Sequence, residues 1–410
     1  MSISAIVRLS CLVPLLASGG FLTAADEKVS LLGHSLTPIS NLGKGTNWNI
    51  HPVVVVGGGY DSNVFLETPS EADDSATLKG AVGLVASTDI TDIDHMSVNG
   101  TFEYVEYLDV ENRNAITGSA GAAYAHKGEK ASTDVMVQWS RLDDPLISTG
   151  ALTLRDLYVG RVDVGYRVAE NVYSVGVDGT YNDYLEETPG FSVDNRDSGT
   201  YTGFLQATHE PSDEGKIYIK IRGGAVRLRE ETVLNNANLY SGVVGATGKI
   251  GVRSGWNLEF GHEVRAYTED FNDDPNYNDK DVSSAIGRLG GRWSWVENSA
   301  ITVAGFSMLS DGTQSNASHL VGGNVDLRYG LGDTDVALLG FGSVTQSTDT
   351  GAAVGQVIVN RVTTTGGGGV DWLITPGMDL LVKASYTNSE VNVGTSWEDV
   401  KATAELGMVF

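Results

Sequence analysis

Side chains alternate in polarity along segment after segment of this chain, and a period of two excludes most folds before any single residue's chemistry is considered. Between Lys216 and Arg222, Ile217, Ile219 and Ile221 occupy the odd positions, and Lys216, Tyr218, Lys220 and Arg222 the even ones. Successive side chains of a strand point to opposite faces, so one face here is apolar and the other polar. The pattern recurs where Val162, Val164, Tyr166 and Val168 oppose Arg161, Asp163 and Arg167. It recurs again where Tyr173, Val175, Val177 and Tyr181 oppose Asp178, Thr180 and Asn182, and where Leu289, Trp293 and Trp295 oppose Arg288, Arg292 and Ser294.

The alternating segments come in a rhythm. They are predicted at 49–59, 77–88, 96–107, 115–126, 131–141, 155–168, 172–184, 198–209 and 216–227, then at 240–251, 256–267, 282–295, 300–310, 318–331, 335–346, 357–373, 379–388 and 398–410. Their usual length is near that of a tilted transmembrane strand, about 9–11 residues. Short connections such as 127–130, 169–171, 253–255, 332–334 and 375–378 alternate with longer polar ones at 60–76, 142–154, 185–197, 228–239 and 268–281. Short turns on one side and long loops on the other are the plan of a membrane barrel, and an even strand count puts both ends on the short-turn side. The expected fold is all-β: a single antiparallel transmembrane β-barrel of about 18 strands, with 16 the nearest alternative. Short turns would face the periplasm and longer loops the outside.

Composition agrees. The chain is 41% hydrophobic with a mean hydropathy of −0.08, and it holds 51 Gly but only 9 Pro. A helical membrane protein needs apolar runs of about 20 residues, whereas a barrel's polar interior dilutes its lipid-facing side chains. A net charge of −25 argues against a nucleic-acid partner, since phosphate binding needs a basic surface. Residues 1–25 read as a secretory signal peptide, with Arg8 before a short apolar stretch and Thr23-Ala24-Ala25 as the cleavage site. The single cysteine, Cys11, falls in that segment, so the exported chain would carry neither a disulfide nor a thiolate metal site. Residues 26–48 read as a polar, unpatterned periplasmic lead-in, and 49–410 as the barrel.

In the last segment Ala402, Ala404, Leu406, Met408 and Phe410 share a face. An alternating final strand ending in Phe resembles the C-terminal signal by which outer-membrane barrels are recognised, which implies barrel-assembly machinery and outer-membrane lipid of a Gram-negative-type cell as partners. Near the first strand, Val53-Val54-Val55-Val56-Gly57-Gly58-Gly59-Tyr60-Asp61-Ser62-Asn63-Val64-Phe65 resembles the opening of the β-barrel porin type 2 family. That resemblance is specific over about ten residues and extends loosely to the whole chain through its plan. It implies an outer-membrane barrel, often met in connection with exported polysaccharide, and transfers no catalytic residue. By itself, Tyr60-Asp61-Ser62-Asn63 reads as a strand-to-loop transition, because Asp and Asn turn the chain through side-chain hydrogen bonds.

An ionised group facing lipid costs about 2–4 kcal/mol at mid-membrane, so the charged faces must line the lumen. The expected lining comprises Arg161, Arg167, Lys220, Arg222, Arg288, Arg292 and Arg328, opposed by Asp163, Asp178, Glu259 and Glu263 together with Glu103, Asp134 and Asp326. Facing rows of opposite charge set up a transverse field that orders water and orients polar solutes. The alternative is a set of wall-stabilising ion pairs in a narrow lumen. Tyr107, Trp139, Trp256, Trp293 and Trp295 are expected in interfacial girdles. Gly366 to Gly369, inside a predicted strand, reads as a curvature or packing device ahead of a gating hinge.

The functional expectation is a porin-like channel for passive passage of small polar solutes, sugars or short oligosaccharides by preference. The rival is a non-conducting barrel partner of a polysaccharide export or surface-assembly system. Asp270, Asn272, Asp274 and Asp281 imitate a calcium-loop spacing, but Pro275 stands where the loop needs Gly and Asp281 where it needs Glu, so a solvated acidic loop is the expectation and no metal or other cofactor is assigned. Enzymatic chemistry would need a nucleophile, base and orienting group at one rim. His51, His95, His126, His209 and His319 are expected toward the periplasmic end, His34 precedes the barrel, and His262 lies on an apolar face; no hydrolase motif accompanies them.

Overall fold

A computed structural model describes residues 29–38, 43, 46–110, 113–145, 152–185, 197–228, 236–267, 281–296, 298–311, 317–332, 334–350 and 358–410. The leader read at 1–25 and the loop residues Asp270, Asn272 and Asp274 lie outside the described residues. Two short strands come first, β1 (Val29–Leu31) and β2 (His34–Leu36). Nine long ones follow: β3 (Trp48–Asp61), β4 (Ser75–Thr91), β5 (Asp94–Tyr107), β6 (Ala115–Lys127), β7 (Ala131–Pro145), β8 (Leu152–Val168), β9 (Asn171–Tyr184), β10 (Ser198–Ser212) and β11 (Gly215–Leu228). The second nine are β12 (Ala237–Ile250), β13 (Ser254–Tyr267), β14 (Val282–Val296), β15 (Ser299–Asp311), β16 (Ala317–Gly330), β17 (Val336–Thr350), β18 (Asn360–Thr375), β19 (Met378–Val391) and β20 (Trp397–Val409).

The eighteen long strands pair antiparallel in sequence order, and β20 closes on β3, leaving a barrel with no free edge. Every segment marked by alternation is one of these strands, and the 16-strand alternative falls away. Several strands outrun the predicted limits; β4, for example, runs 17 residues to Thr91. Beyond the apolar belt both faces of a strand are wet, so polarity stops alternating there while hydrogen bonding continues. Connections of two to five residues gather on one rim, and connections of five to fourteen residues on the other.

The outward face behaves as a lipid-facing wall. Ile219 is 58% exposed and Phe260 68%, yet their strands are fully paired, so these side chains find an apolar environment only outside the barrel. The exposed Tyr166, Tyr173, Trp256, Trp293, Trp295 and Trp372 sit toward the short-turn rim, and Tyr158, Tyr201, Tyr240 and Tyr386 toward the long-loop rim. Trp293 and Trp295 meet edge-on at 6.1 Å, and Tyr158 lies 6.2 Å from Tyr181. Two aromatic belts around an apolar band are what a bilayer's two interfaces demand. Tyr107 departs from its expected girdle position. It shares parity with Glu103 rather than Phe102, is buried, and carries Arg113 over its ring at 5.3 Å.

The Gly366–Gly369 run pairs without interruption to β17 and β19, so the packing reading holds. A Cβ on Gly367 would come within 2.3 Å of Phe341 Cζ, which shows what the missing side chain accommodates. The Tyr60–Asn63 stretch is a clasp at the barrel's closing seam. Asp61 accepts from Asn63 N at 3.1 Å and pairs with Lys401 at 2.6 Å, while Asn63 Nδ2 donates to Glu67 O and Glu398 O, each at 2.8 Å. The residues carrying the family resemblance therefore turn the chain and tie the first strand's loop to the last strand.

Residues 29–36 do not form the unpatterned lead-in that their polarity suggests. β1 and β2 make a hairpin turned by Leu32 and Gly33, at φ 55° and 90°. A turn with two positive φ angles favours Asn-Gly, and a non-glycine residue there costs about 1–2 kcal/mol. Leu32 tolerates it because its side chain is buried with Leu36 against Val53, Val55, Ala81 and Val409. Burying a leucine contributes about 1.5–3 kcal/mol, enough to offset the backbone cost.

Candidate functional site in the barrel lumen

Strand parity turns every predicted lining residue inward. Their partners, however, are neighbours along the same wall rather than rows facing across the lumen. Arg161 Nη2 is 2.8 Å from Asp163 two residues on, and Arg222 Nη2 is 3.8 Å from Asp178. Thr202 donates to Asp178 at 2.7 Å, and Tyr218 to Glu259 at 2.9 Å. Arg288 stands cross-strand from Glu259.

At the middle of this wall lies Phe204, which the charge pattern did not single out. Lys220 Nζ sits 4.0 Å from its ring centroid and Arg161 Cζ 5.3 Å. Lys220 is 6% exposed and, among the described residues, has no carboxylate at ion-pair distance. Cation–π attraction is what the ring offers in its place. The ring covers Gly176, whose Cβ, if present, would lie 2.4 Å from Phe204 Cζ. A legible signal existed: Phe204 interrupts the polar row Thr202, Gln206, Thr208 and pairs with Arg222 on one side and Gly176 on the other.

The other predicted residues are dispersed. Arg167 and Lys216 share Glu210 near the short-turn rim. Glu263 holds Arg265 at 3.0 Å, and Arg265 also donates to Leu309 O. Arg328 meets Asp371 at 2.6 Å on the far wall, and Asp326 accepts from Asn324 at 2.7 Å. Asp134 lies cross-strand from Asp163, like charge beside like, and Arg292 is exposed near the short-turn rim.

Of a second charged network, only Glu103 is among the expected lining residues. Lys79 bridges Glu103 at 2.9 Å and Glu405 at 3.0 Å, beside the seam. His34, from the hairpin, completes it: Nδ1 is 2.6 Å from Asp379, and Nε2 is 3.6 Å from Glu405, an ion-pair rather than a hydrogen-bond distance. Burial alone would lower the His34 pKa, but the hydrogen bonds and charges of Asp379 and Glu405 outweigh it and raise it above its ordinary value. These partners are 326 and 345 residues apart, a separation that local alternation does not address.

Leu406, Met408 and Phe410 lie on the outward parity, with Phe410 N donating to Pro52 O at 3.0 Å. The histidines are scattered: His95 with Asp89, His126 with Asp94, His209 with Asn171, His51 with Phe410 O. His319 is a correction. It opens β16 at the long-loop rim, because the preceding connection, 312–316, belongs to that rim. Its Nε2 is 2.9 Å from Ser307 Oγ, but that hydroxyl also donates to Ala285 O, and among the described residues His319 has no further partner to orient it. Asp281 is exposed at the entry to β14.

No protein-family model matches the chain, and no curated protein matches it. Solved structures similar in shape include OpdQ of Pseudomonas aeruginosa, at 10% identity and a TM-score of 0.47, covering 88% of this chain and 99% of that one. OccAB4 of Acinetobacter baumannii is 11% identical with a TM-score of 0.46, covering 90% and 100%. OpdK of Pseudomonas aeruginosa, in a crystal structure with vanillate, is 10% identical with a TM-score of 0.48, covering 88% and 99%. The barrel assignment rests on the strand pairing above and draws nothing from these likenesses.

Proposed function

We propose that this barrel is an outer-membrane channel for passive passage of small polar solutes, with sugars or short oligosaccharides as the preferred class. One observation carries the reading: on β8 to β11 and β13 an apolar outward row alternates with an inward row rich in charges and hydroxyls. Such a lumen replaces part of a solute's hydration and lowers the barrier set by hydrocarbon. Asp178, Thr202, Tyr218, Glu259, Lys220 and Arg222 supply donors and acceptors of both signs within one patch, which suits hydroxyl-rich solutes better than apolar ones. In this reading Leu406, Met408 and Phe410 are presented to the assembly machinery, and the long loops face outward. Liposome swelling in sugars of increasing size tests the solute class. Swelling that slows with sugar size supports it; swelling in none of them, with folded protein in the bilayer, removes it.

A second reading, a non-conducting barrel partner of a polysaccharide export or surface-assembly system, is favoured by the hairpin lodged against the inner wall. Epitope tags in 185–197 or 268–281 of intact cells address orientation in both readings. Labelling of those tags, but not of tags at 127–130 or 332–334, is the expected outcome.

A further inference from the structure

We propose that the hairpin Val29–Leu36 is a detachable constriction of the lumen, seated in a site that the wall provides and held by a protonated His34. The inference rests on the channel reading for its consequence, but the seat itself stands on geometry.

The wall under the hairpin is shaped for it. A Cβ on Gly83 would lie 2.3 Å from Leu31 Cδ2, and one on Gly407 would lie 2.4 Å from His34 Nδ1. A side chain at Gly407 would meet the His34 ring, and at Gly83 even a methyl would make Leu31 give way while a large side chain would displace the hairpin. The inward valines Val53 and Val55 are 1% and 0% exposed, an apolar lining that a water-filled lumen has no use for unless Leu32 and Leu36 cover it. Thr37 N donates to Pro376 O at 2.9 Å, so the hairpin's exit is tied to the turn between β18 and β19 at the short-turn mouth.

To the apolar seat of Leu32 and Leu36 the wall adds a local ionic hold. His34 faces Asp379 and Glu405; Lys79 and Glu103 stand behind Glu405, and Lys383 and Asp371 complete the charges on that wall. Two three-residue strands are too short to hold a fixed place by pairing alone, so the hairpin depends on this contact together with the buried Leu32 and Leu36. Because the His34 pKa is raised in the seated state, its contribution is full below the unperturbed value of about 6.5. It is lost as the pH rises through the raised value. Neutral His34 leaves Asp379 and Glu405 with one positive partner fewer, and the hairpin then loosens.

The test uses the full chain carrying Cys11→Ser and Ala81→Cys, since Ala81 is 4% exposed within the same cluster. A water-soluble thiol reagent is applied to folded protein in bilayers, and each rate is divided by that of the same protein lacking residues 29–36. Protection of about tenfold or more at acidic pH, fading as the pH rises, is expected; His34→Gln should show little protection at any pH. Gly83→Leu provides a second route to an unseated hairpin if the deleted chain assembles badly. Conductance is measured in parallel and should rise in the deletion, in Gly83→Leu, and in the unmodified chain at alkaline pH. Equal labelling with and without the hairpin would overturn the seat. Protection with unchanged conductance would make the hairpin a lining rather than a constriction. Protection with no current in any of these proteins would overturn the constriction through the channel reading, while leaving the seat.

Discussion

Glu405 and Glu210 each hold two basic side chains inside the same barrel, and they teach different things. Glu405 binds Lys79 and His34 at the seam, where all three side chains are nearly out of solvent. Glu210 binds Lys216 and Arg167 near the short-turn rim, where those cations keep about half of their exposure, at 53% and 44%. Removing one member of a buried network strands the others in a low dielectric, whereas water screens what is left at the rim. The seam's charges thus belong to structure and closure, whereas Arg167 and Lys216 stay in contact with solvent.

The largest expected effect follows from that contrast. Glu405→Leu should lower unfolding stability by about 3–5 kcal/mol, the usual cost of orphaning buried partners. Glu210→Leu should cost about 1 kcal/mol or less. Urea titrations of the two proteins in matched lipid vesicles compare them, and similar losses would erase the distinction between the regions. Next in size is a test of the wall's two faces. Ile219→Arg puts a charge toward lipid and should cost about 2–4 kcal/mol, with a matching loss of heat-modifiable folded protein. Its neighbour Lys220→Met should leave folding nearly unchanged, because that residue already lacks an ion-pair partner among the described residues. A reversed ranking would mean that the two faces are exchanged.

Smaller is the seam clasp. Asn63→Ala removes side-chain bonds to Glu67 and Glu398, and should cost about 1–2 kcal/mol in the same urea assay. No change would remove the clasp reading of the Tyr60–Asn63 stretch.

The alternation made the barrel legible because each strand announces its own two faces: Ile217, Ile219 and Ile221 against Lys216, Lys220 and Arg222 need no knowledge of the rest of the chain. Inward direction of the lining residues followed from the same parity. What parity leaves out is who meets whom. Arg161 pairs with Asp163 two residues away, Lys220 rests on Phe204 from the adjacent strand, and Lys79 finds Glu405 across the closing seam. Those contacts depend on register and closure, which local polarity does not encode. The hairpin escaped because two three-residue strands are too short to show a period, and Leu32-Gly33 is not the Asn-Gly signal of such a turn. His319 lies at the opposite rim from the expected one because the connection before it, 312–316, is as short as 331–335 on the other rim, so loop length does not tell the two sides apart there.

If the β8–β14 wall borders water and meets passing ions, reversal potentials under a salt gradient register its charges. The unmodified protein is compared in planar bilayers with Arg161→Gln, Lys220→Met and Arg222→Gln combined. Removing positive charge lowers the barrier for cations and raises it for anions, so the variant should shift toward cation preference. The shift should shrink at 1 M salt, where the screening length falls to about 3 Å. Identical reversal potentials at low salt, or no current from either folded protein even without residues 29–36, would mean that this wall meets no passing ions.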